Sequence, residues 1–129
     1  MKKGDLLFQV RIPGSSRETI ALFSQATQDP NPIHTDDAFA LRCGFDQVIQ
    51  QGPMTTAHFA HLLAEHGGAD RLRSLDLSFS APVFPQEDLD LRATVEQVQD
   101  GMALLALVAQ KTDGTVTAKG QAQIALHQP

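Results

Sequence analysis

Apolar and polar residues alternate with a period of two near the N-terminus and through most of the second half of the chain. The first alternating run consists of Leu6, Phe8, Val10 and Ile12. Further alternation covers 75–81, 89–95 and 116–126, and a continuous apolar run covers 102–109. Alternation is typical of strands with one buried face, and a short apolar run suits a strand in the sheet core. The pattern therefore predicts one early strand and four strands in the second half.

Two Asp-Gly pairs separate the last three of these strands. They are Asp100-Gly101 and Asp113-Gly114. A two-residue hairpin turn of type I′ needs a positive φ at both central positions, which Asp and Gly adopt more readily than most residues. We therefore expect two tight hairpins, which would make this part of the sheet antiparallel.

The segment between the first strand and the later strands carries helix signals. Ser15 precedes Glu18 by three residues, which predicts a capping box and a helix that ends near Thr27. Thr35 is expected to cap a short second helix over 36–43, which the following glycine would end. The two prolines within 28–34 exclude a regular α-helix from the stretch between them.

The longest helix candidate covers residues 53–65. Pro53 suits a first helical position, where the N–H that proline lacks is not needed, and Gly67-Gly68 supplies a stop. Small and apolar residues recur along it, namely Met54, Ala57, Ala60, Leu63 and Ala64. An antiparallel sheet with one apolar face needs a helix across that face. We therefore expect an α+β fold in which this helix packs on the sheet.

Length, charge and cysteine content narrow the class of protein. A chain of 129 residues suits one domain, expected to span 1–129. The net charge of −5 argues against a nucleic-acid partner, and no apolar stretch is long enough to predict a membrane span. The N-terminus has no secretory signal pattern, and the single cysteine, Cys43, suits a reducing compartment. We expect a cytoplasmic protein.

The loop Asp29-Pro30-Asn31-Pro32-Ile33-His34 carries the strongest chemical signal. Its prolines restrict the backbone, so that a carboxylate and an imidazole are held close together in a loop. Such a pair can share a water molecule, one group taking its proton and the other donating to a substrate. Asn31 is a supporting residue that can orient the loop. A second interpretation remains open, in which Asp29 and Asn31 only cap the local backbone.

This loop resembles the D-x-N-P-[LIV]-H signature of the MaoC-like, (R)-specific enoyl-CoA hydratases. The resemblance continues at Gly52, which stands at a predicted helix start as in the H-G-M-L segment of that family. It continues again at Ser78-Phe79 and Pro82-Val83, which resemble the family strand S-F-x-x-P-V and precede an acidic turn at 86–88. The similarity therefore covers most of the chain.

The resemblance implies a hotdog fold, in which a curled antiparallel sheet wraps around a central long helix, and a homodimer. It implies that Asp29 and His34 activate water for syn addition across a trans-2-enoyl thioester. The product would be an (R)-3-hydroxyacyl thioester, and the reverse reaction a dehydration. The substrate would be a thioester of coenzyme A or of acyl carrier protein, with no separate cofactor. A backbone N–H at Gly52 would polarise the thioester carbonyl.

The sequence around Gly52 suits that role on its own terms. Because Pro53 has no N–H, any backbone donor at this corner must come from Gly52 or Met54. A helix start also concentrates free N–H groups and positive dipole, which favour a developing enolate oxygen. The alternative is that Gly52 is a plain N-cap glycine.

Three positions depart from the family pattern. Gln28 stands where relatives often have glycine, Gln51 where they commonly have histidine, and Pro53 where they often have methionine. Gln51 keeps hydrogen-bonding ability but cannot titrate, so it is a supporting residue and not a proton-transfer group. These departures leave the identity of the thioester open.

Two other functions of the same fold remain open. A hotdog thioesterase would hydrolyse the thioester bond, and a non-catalytic module would only bind the acyl thioester. No metal is expected, because His58 and His61 on the long helix have no carboxylates or cysteines to complete a site. We expect the strands at 102–109 and 116–126 to form hairpins with exposed edges, which a homodimer would cover, placing the acyl pocket at the interface.

Overall fold

The computed structural model describes residues 1–126, so the last three residues of the expected domain 1–129 lie outside the described part. The strands are β1 (Leu6–Ile12), β2 (Leu72–Phe79), β3 (Leu89–Gln99), β4 (Met102–Lys111) and β5 (Val116–Ala125). The helices are α1 (Arg17–Ala26), α2 (Asp37–Arg42) and α3 (Gly52–Gly67), with a short 3-10 helix at Pro32–His34.

The strands form one antiparallel sheet in the order β1-β3-β4-β5-β2. The period-two pattern places alternate residues of the central strands on the buried face, among them Leu91, Val95, Leu105, Leu107 and Ile124. The long helix α3 contributes Phe59, Leu62 and Leu63 to the same hydrophobic core. The expected α+β architecture, a curled sheet packed on one long helix, is confirmed.

The strands at the edges of the sheet are not the ones expected from the hairpin pattern. β4 is paired with β3 on one side and with β5 on the other, and β5 is also paired with β2. The expectation that 102–109 and 116–126 have exposed edges is therefore wrong. Within residues 1–126 the open edges belong to β1, which pairs only with β3, and to β2, which pairs only with β5.

The two Asp-Gly turns differ in conformation. Asp100 and Gly101 both have positive φ, 54° and 74°, as a type I′ turn requires. At the second turn only Gly114 has a positive φ, of 91°. The C=O of Lys111 accepts the N–H of Gly114 at 2.9 Å, and the N–H of Lys111 donates to the C=O of Thr115 at 2.8 Å. The expected two-residue turn is wrong here, and a three-residue loop closed by a left-handed glycine takes its place.

The caps of the first two α-helices lie one residue later than expected. The hydroxyl of Ser16, not of Ser15, accepts the N–H of Thr19 at 3.0 Å and caps α1. Asp36, not Thr35, caps α2 with its carboxylate. In each case the sequence offers two neighbouring capping side chains, and the path of the chain into the helix selects the second.

Two other boundaries extend beyond the predicted ones. α3 spans sixteen residues and includes Gly52 at its start and Gly67 at its end. β2 begins at Leu72, three residues before the alternation becomes regular. No helix within residues 1–126 is long and apolar enough to cross a membrane.

The close approach of β2 to β5 leads to a stability prediction. A Cβ added at Gly120 would lie 1.8 Å from the carbonyl oxygen of Asp76, so the strands must separate to admit it. Gly120→Ala should lower the free energy of unfolding by about 1–3 kcal/mol, the usual cost of overpacking. Urea denaturation measures this change. The control Gln123→Ala, at an exposed position of β5, should change it by less than about 0.5 kcal/mol, and equal effects would contradict the prediction.

Candidate active site

The end of helix α1 fixes the position of Asp29. After the C-cap Thr27, Gln28 adopts a φ of 55°, which turns the chain back toward the helix. The N–H of Asp29 then donates to the C=O of Ser24 at 2.8 Å. Glycine would adopt this positive φ at less cost than glutamine. The backbone of Asp29 is thus bound directly to α1.

The carboxylate of Asp29 and the amide of Asn31 shape the loop that follows. One carboxylate oxygen of Asp29, Oδ1, accepts the N–H of Asn31 at 3.1 Å. The side-chain oxygen of Asn31 accepts the N–H of Ile33 at 3.1 Å and caps the short 3-10 helix. Local capping, the alternative interpretation of this loop, therefore occurs. This capping uses the side-chain oxygen of Asn31 and one carboxylate oxygen of Asp29, Oδ1, and it does not involve Oδ2 of Asp29.

His34 ends the 3-10 helix and faces the second carboxylate oxygen of Asp29. Its Nδ1 lies 2.7 Å from the carbonyl oxygen of Ile49. Because a carbonyl can only accept a hydrogen bond, Nδ1 carries the proton. The other ring nitrogen, Nε2, lies 3.5 Å from Oδ2 of Asp29. The His34 side chain is 11% exposed and that of Asp29 is 38% exposed, so the pair is open to solvent mainly on the carboxylate side.

This arrangement places two proton acceptors side by side. With its proton on Nδ1, a neutral His34 presents the lone pair of Nε2, and an ionised Asp29 presents Oδ2. A water molecule between them can donate one hydrogen to each. Either group can then take a proton from that water, and the protonated group can return a proton to a bound molecule.

The hydrogen bonding at the start of α3 leaves one backbone donor available. The N–H of Met54 donates to the C=O of Gln51 at 3.1 Å, and Pro53 has no N–H. Within residues 1–126, the N–H of Gly52 has no hydrogen-bond partner. A Cβ at Gly52 would lie 3.0 Å from the ring of Phe79, so the missing side chain makes room for this ring.

Gly52 lines a cleft of about 560 Å³, a size in the range of small-molecule sites. Its apolar walls include Phe45, Ile49, Phe79 and Val83. Four buried polar residues also line it, namely Gln50, Gln51, Thr55 and Thr117. The fifth buried polar residue among residues 1–126 is Ser24, which is hydrogen-bonded to Gln51. The buried polar groups of the described chain therefore converge on this cleft.

Asp29 lies in a different groove, of about 620 Å³, along the outer side of α1. The residues lining the two cavities do not overlap. His34 links them, because its Nδ1 is bound to Ile49, which lines the cleft of Gly52. The structure thus brings Asp29 and His34 into one pair and holds Gly52 at the start of α3, in a separate cavity of the single chain.

The side chain of Gln51 does not cap α3, although Gln51 is the N-cap residue. Its Nε2 donates instead to the carbonyl oxygen of Ile20 at 2.8 Å and to Oγ of Ser24 at 2.7 Å, both on α1. Ser24 is a site residue that the sequence did not predict. The available signal was a small polar residue on the helix face that also carries the buried Ile20. The contacts of Phe79 and Ile49 left no local signal, because they depend on the tertiary fold.

Comparison with known proteins shows which family the chain belongs to. The sequence matches the family described as MaoC like domain over residues 3–118. It is 26% identical over 111 residues to the (R)-specific enoyl-CoA hydratase of Aeromonas caviae, covering 83% of this chain and 83% of that enzyme. It is 34% identical over 109 residues to the fatty acid synthase subunit beta of Aspergillus oryzae, covering 81% of this chain. The chain spans only 5% of that subunit.

The backbone also superposes on the solved structure of the (R)-hydratase from A. caviae involved in PHA biosynthesis. The TM-score is 0.84 at 23% identity, and the superposition covers 98% of both chains. This likeness establishes the hotdog fold. Because the family match covers most of the sequence, the protein belongs to the MaoC-like dehydratase family.

Proposed function

We propose that the protein adds water to a trans-2-enoyl thioester to give an (R)-3-hydroxyacyl thioester, or catalyses the reverse dehydration. The observation that carries the proposal is the pair formed by Nε2 of His34 and Oδ2 of Asp29, 3.5 Å apart. The other ring nitrogen of His34, Nδ1, donates to the carbonyl oxygen of Ile49, so Nε2 points at the carboxylate of Asp29. The relatives named above support the same class of chemistry.

In the hydration direction, the pair holds a water molecule beside C3 of the enoyl group. The water oxygen forms a bond to C3 while one group of the pair takes its proton. In this proposal the substrate extends past His34 into the cleft of Gly52. The C2–C3 π electrons move toward the thioester carbonyl, and the N–H of Gly52 stabilises the resulting enolate oxygen. A backbone donor of this kind contributes about 3 kcal/mol in the transition state. A proton from the pair then reaches C2 and completes the addition.

The proposed hydration consists of proton transfers and the formation of one C–O bond. It therefore requires no separate cofactor, and the thioester of coenzyme A or acyl carrier protein is itself the substrate. We also propose a cytoplasmic location. Its support is the single cysteine, Cys43, an exposed free thiol that suits a reducing compartment.

We propose that the working unit is a homodimer with the acyl pocket at the interface. The open edge of β2 and the ring of Phe79, which is 51% exposed, support this arrangement. Phe79 ends β2 and lines the cleft of Gly52, so a partner on this edge would cover both the strand and the cleft. Pairing would also remove an exposed strand edge, which soluble proteins usually protect.

Loss of either member of the pair should abolish most of the activity. The purified protein, given crotonyl-CoA or a longer enoyl-CoA, should remove the absorbance of the conjugated thioester without releasing free thiol. Asp29→Asn and His34→Ala should each lower turnover by about a hundredfold or more, because each removes an acid–base group. The asparagine can still accept the N–H of Asn31, so the loop should keep its conformation.

The matched control is Asp113→Asn in the β4–β5 turn. Its carboxylate also accepts a backbone N–H, from Thr115, so the chemical change is the same at a remote site. This control should keep wild-type turnover. Release of free thiol by the wild type would indicate a thioesterase, and no reaction at any chain length would indicate a binding module. Near-normal turnover in both pair variants would refute the assigned chemistry.

The proposed homodimer predicts a single species of twice the chain mass in solution. Light scattering coupled to size-exclusion chromatography measures that mass directly. The expected cause is pairing along the β2 edge, which is open in the single chain. A stable monomer that retains full enoyl-CoA turnover would show that the site needs no partner.

A further inference from the structure

The two members of the catalytic pair are held by different parts of the chain. Asp29 is bound to α1 through the C=O of Ser24. His34 is bound through Nδ1 to Ile49, two residues before Gln51. The 3.5 Å separation of the pair therefore depends on the loop that joins Asp29 to His34 and also on how α1 is placed relative to the segment that leads into α3.

Gln51 connects these two parts directly. Its side-chain amide, in a residue that is only 2% exposed, reaches from the start of α3 to α1. The carbonyl oxygen of Ile20 can only accept, so the amide nitrogen must face it and the amide oxygen must point elsewhere. The same nitrogen also donates to Oγ of Ser24, whose carbonyl holds Asp29. One buried amide thus joins the supports of both catalytic groups.

The oxygen of this amide is left without a partner. Among the buried side-chain polar atoms of residues 1–126, only Oε1 of Gln51 has no hydrogen bond. An unpaired buried acceptor is unfavourable, and an apolar side chain of similar length would avoid it. Such a side chain would also leave the carbonyl of Ile20 and the hydroxyl of Ser24 without the donor. Gln51 therefore holds α1 through two hydrogen bonds, although its unpaired Oε1 lowers the stability of the buried site.

Within residues 1–126, the other side-chain link from α1 to a later segment lies at the far end of the helix. Arg17 contacts Asp37 at 2.8 Å and Gln47 at 2.6 Å, and the side chains of Arg17 and Asp37 are about half exposed. Exposed ion pairs hold geometry weakly. α1 has ten residues, so this link lies about 15 Å along the helix axis from the end that carries Asp29. It cannot replace a buried link next to Ser24.

We propose that Gln51 is a positioning residue that sets the distance between Asp29 and His34 by fixing the end of α1 against the start of α3. This role rests on the proposed hydratase function of the pair. Gln51 itself takes no proton, and it acts on Asp29 through Ser24, whose C=O accepts the N–H of Asp29. Its effect should appear in turnover more than in substrate binding.

Gln51→Glu is the most direct test, because it keeps the shape and makes the donor depend on protonation. A carboxyl buried against two uncharged partners has a raised pKa and can donate only while protonated. The folded form then binds the proton more tightly than the unfolded form, so stability falls as pH rises above the ordinary carboxyl range. Relative to wild type at the same pH, kcat/KM should fall by about tenfold or more between about pH 5.5 and about pH 8.

The control for that variant is Gln123→Glu, the same change at an exposed position of β5. Its kcat/KM relative to wild type should stay within about twofold over the same pH range. A second variant, Gln51→Met, removes both the donor and the unpaired oxygen. It should melt within about 3 °C of wild type. Its kcat should fall by about tenfold or more while KM changes by less than about threefold.

Amide hydrogen exchange supplies a measurement that does not depend on activity. The N–H of Asp29, which donates to Ser24, should exchange faster in Gln51→Met than in wild type. Unchanged exchange at Asp29, or a pH-independent Gln51→Glu variant with wild-type kcat, would overturn the proposal. If the wild type itself converts no enoyl thioester, the proposed function fails, and the exchange rates still decide whether Gln51 holds Asp29 in place.

Discussion

The hydrogen bond between Nδ1 of His34 and the carbonyl of Ile49, 2.7 Å long, determines what the rest of the site can do. It commits the ring proton to one nitrogen and turns the other toward Asp29. Without it, the imidazole could rotate or change tautomer, and the carboxylate would face an N–H in place of a lone pair. The bond depends in turn on the segment before α3, whose backbone also pairs Ile49 N–H with the C=O of Ile33 at 3.1 Å.

The fold supplies the rigid support for this segment. The central strands of the sheet share a continuous apolar core with Phe59, Leu62 and Leu63, which packs α3 against the sheet. Phe79, at the end of an edge strand, packs where a side chain at Gly52 would otherwise lie. The absence of a side chain at this position admits the aromatic ring, and the N–H of Gly52 at the helix start has no hydrogen-bond partner within residues 1–126. The N–H of Met54 is already bound to Gln51, which leaves Gly52 as the donor at this corner.

Much of the fold could be predicted from the sequence, because strand periodicity and proline and glycine signals are local. The inward residues of the central strands and the approximate bounds of α3 follow from spacing alone. The loop from Asp29 to His34 could be located because its prolines and polar residues are adjacent in the sequence. The edges of the sheet could not, since β2 pairs with β5, which follows it in the chain only after β3 and β4. The turn at Asp113-Gly114 was misjudged because the same two residues suit two loop lengths. The partners of Gln51 lie about thirty residues away and carry no spacing signal.

In the proposed reaction, Asp29 and His34 deliver both parts of water from one side of an enoyl thioester. Hydration of a trans-2-enoyl-CoA in D2O, followed by NMR assignment of C2 and C3 in the product, reports the face of each addition. We expect a single product with an (R)-hydroxyl at C3 and deuterium added to C2 from the same face. Deuterium on the opposite face, a mixture of configurations at C2, or an (S)-hydroxyl would refute this mechanism.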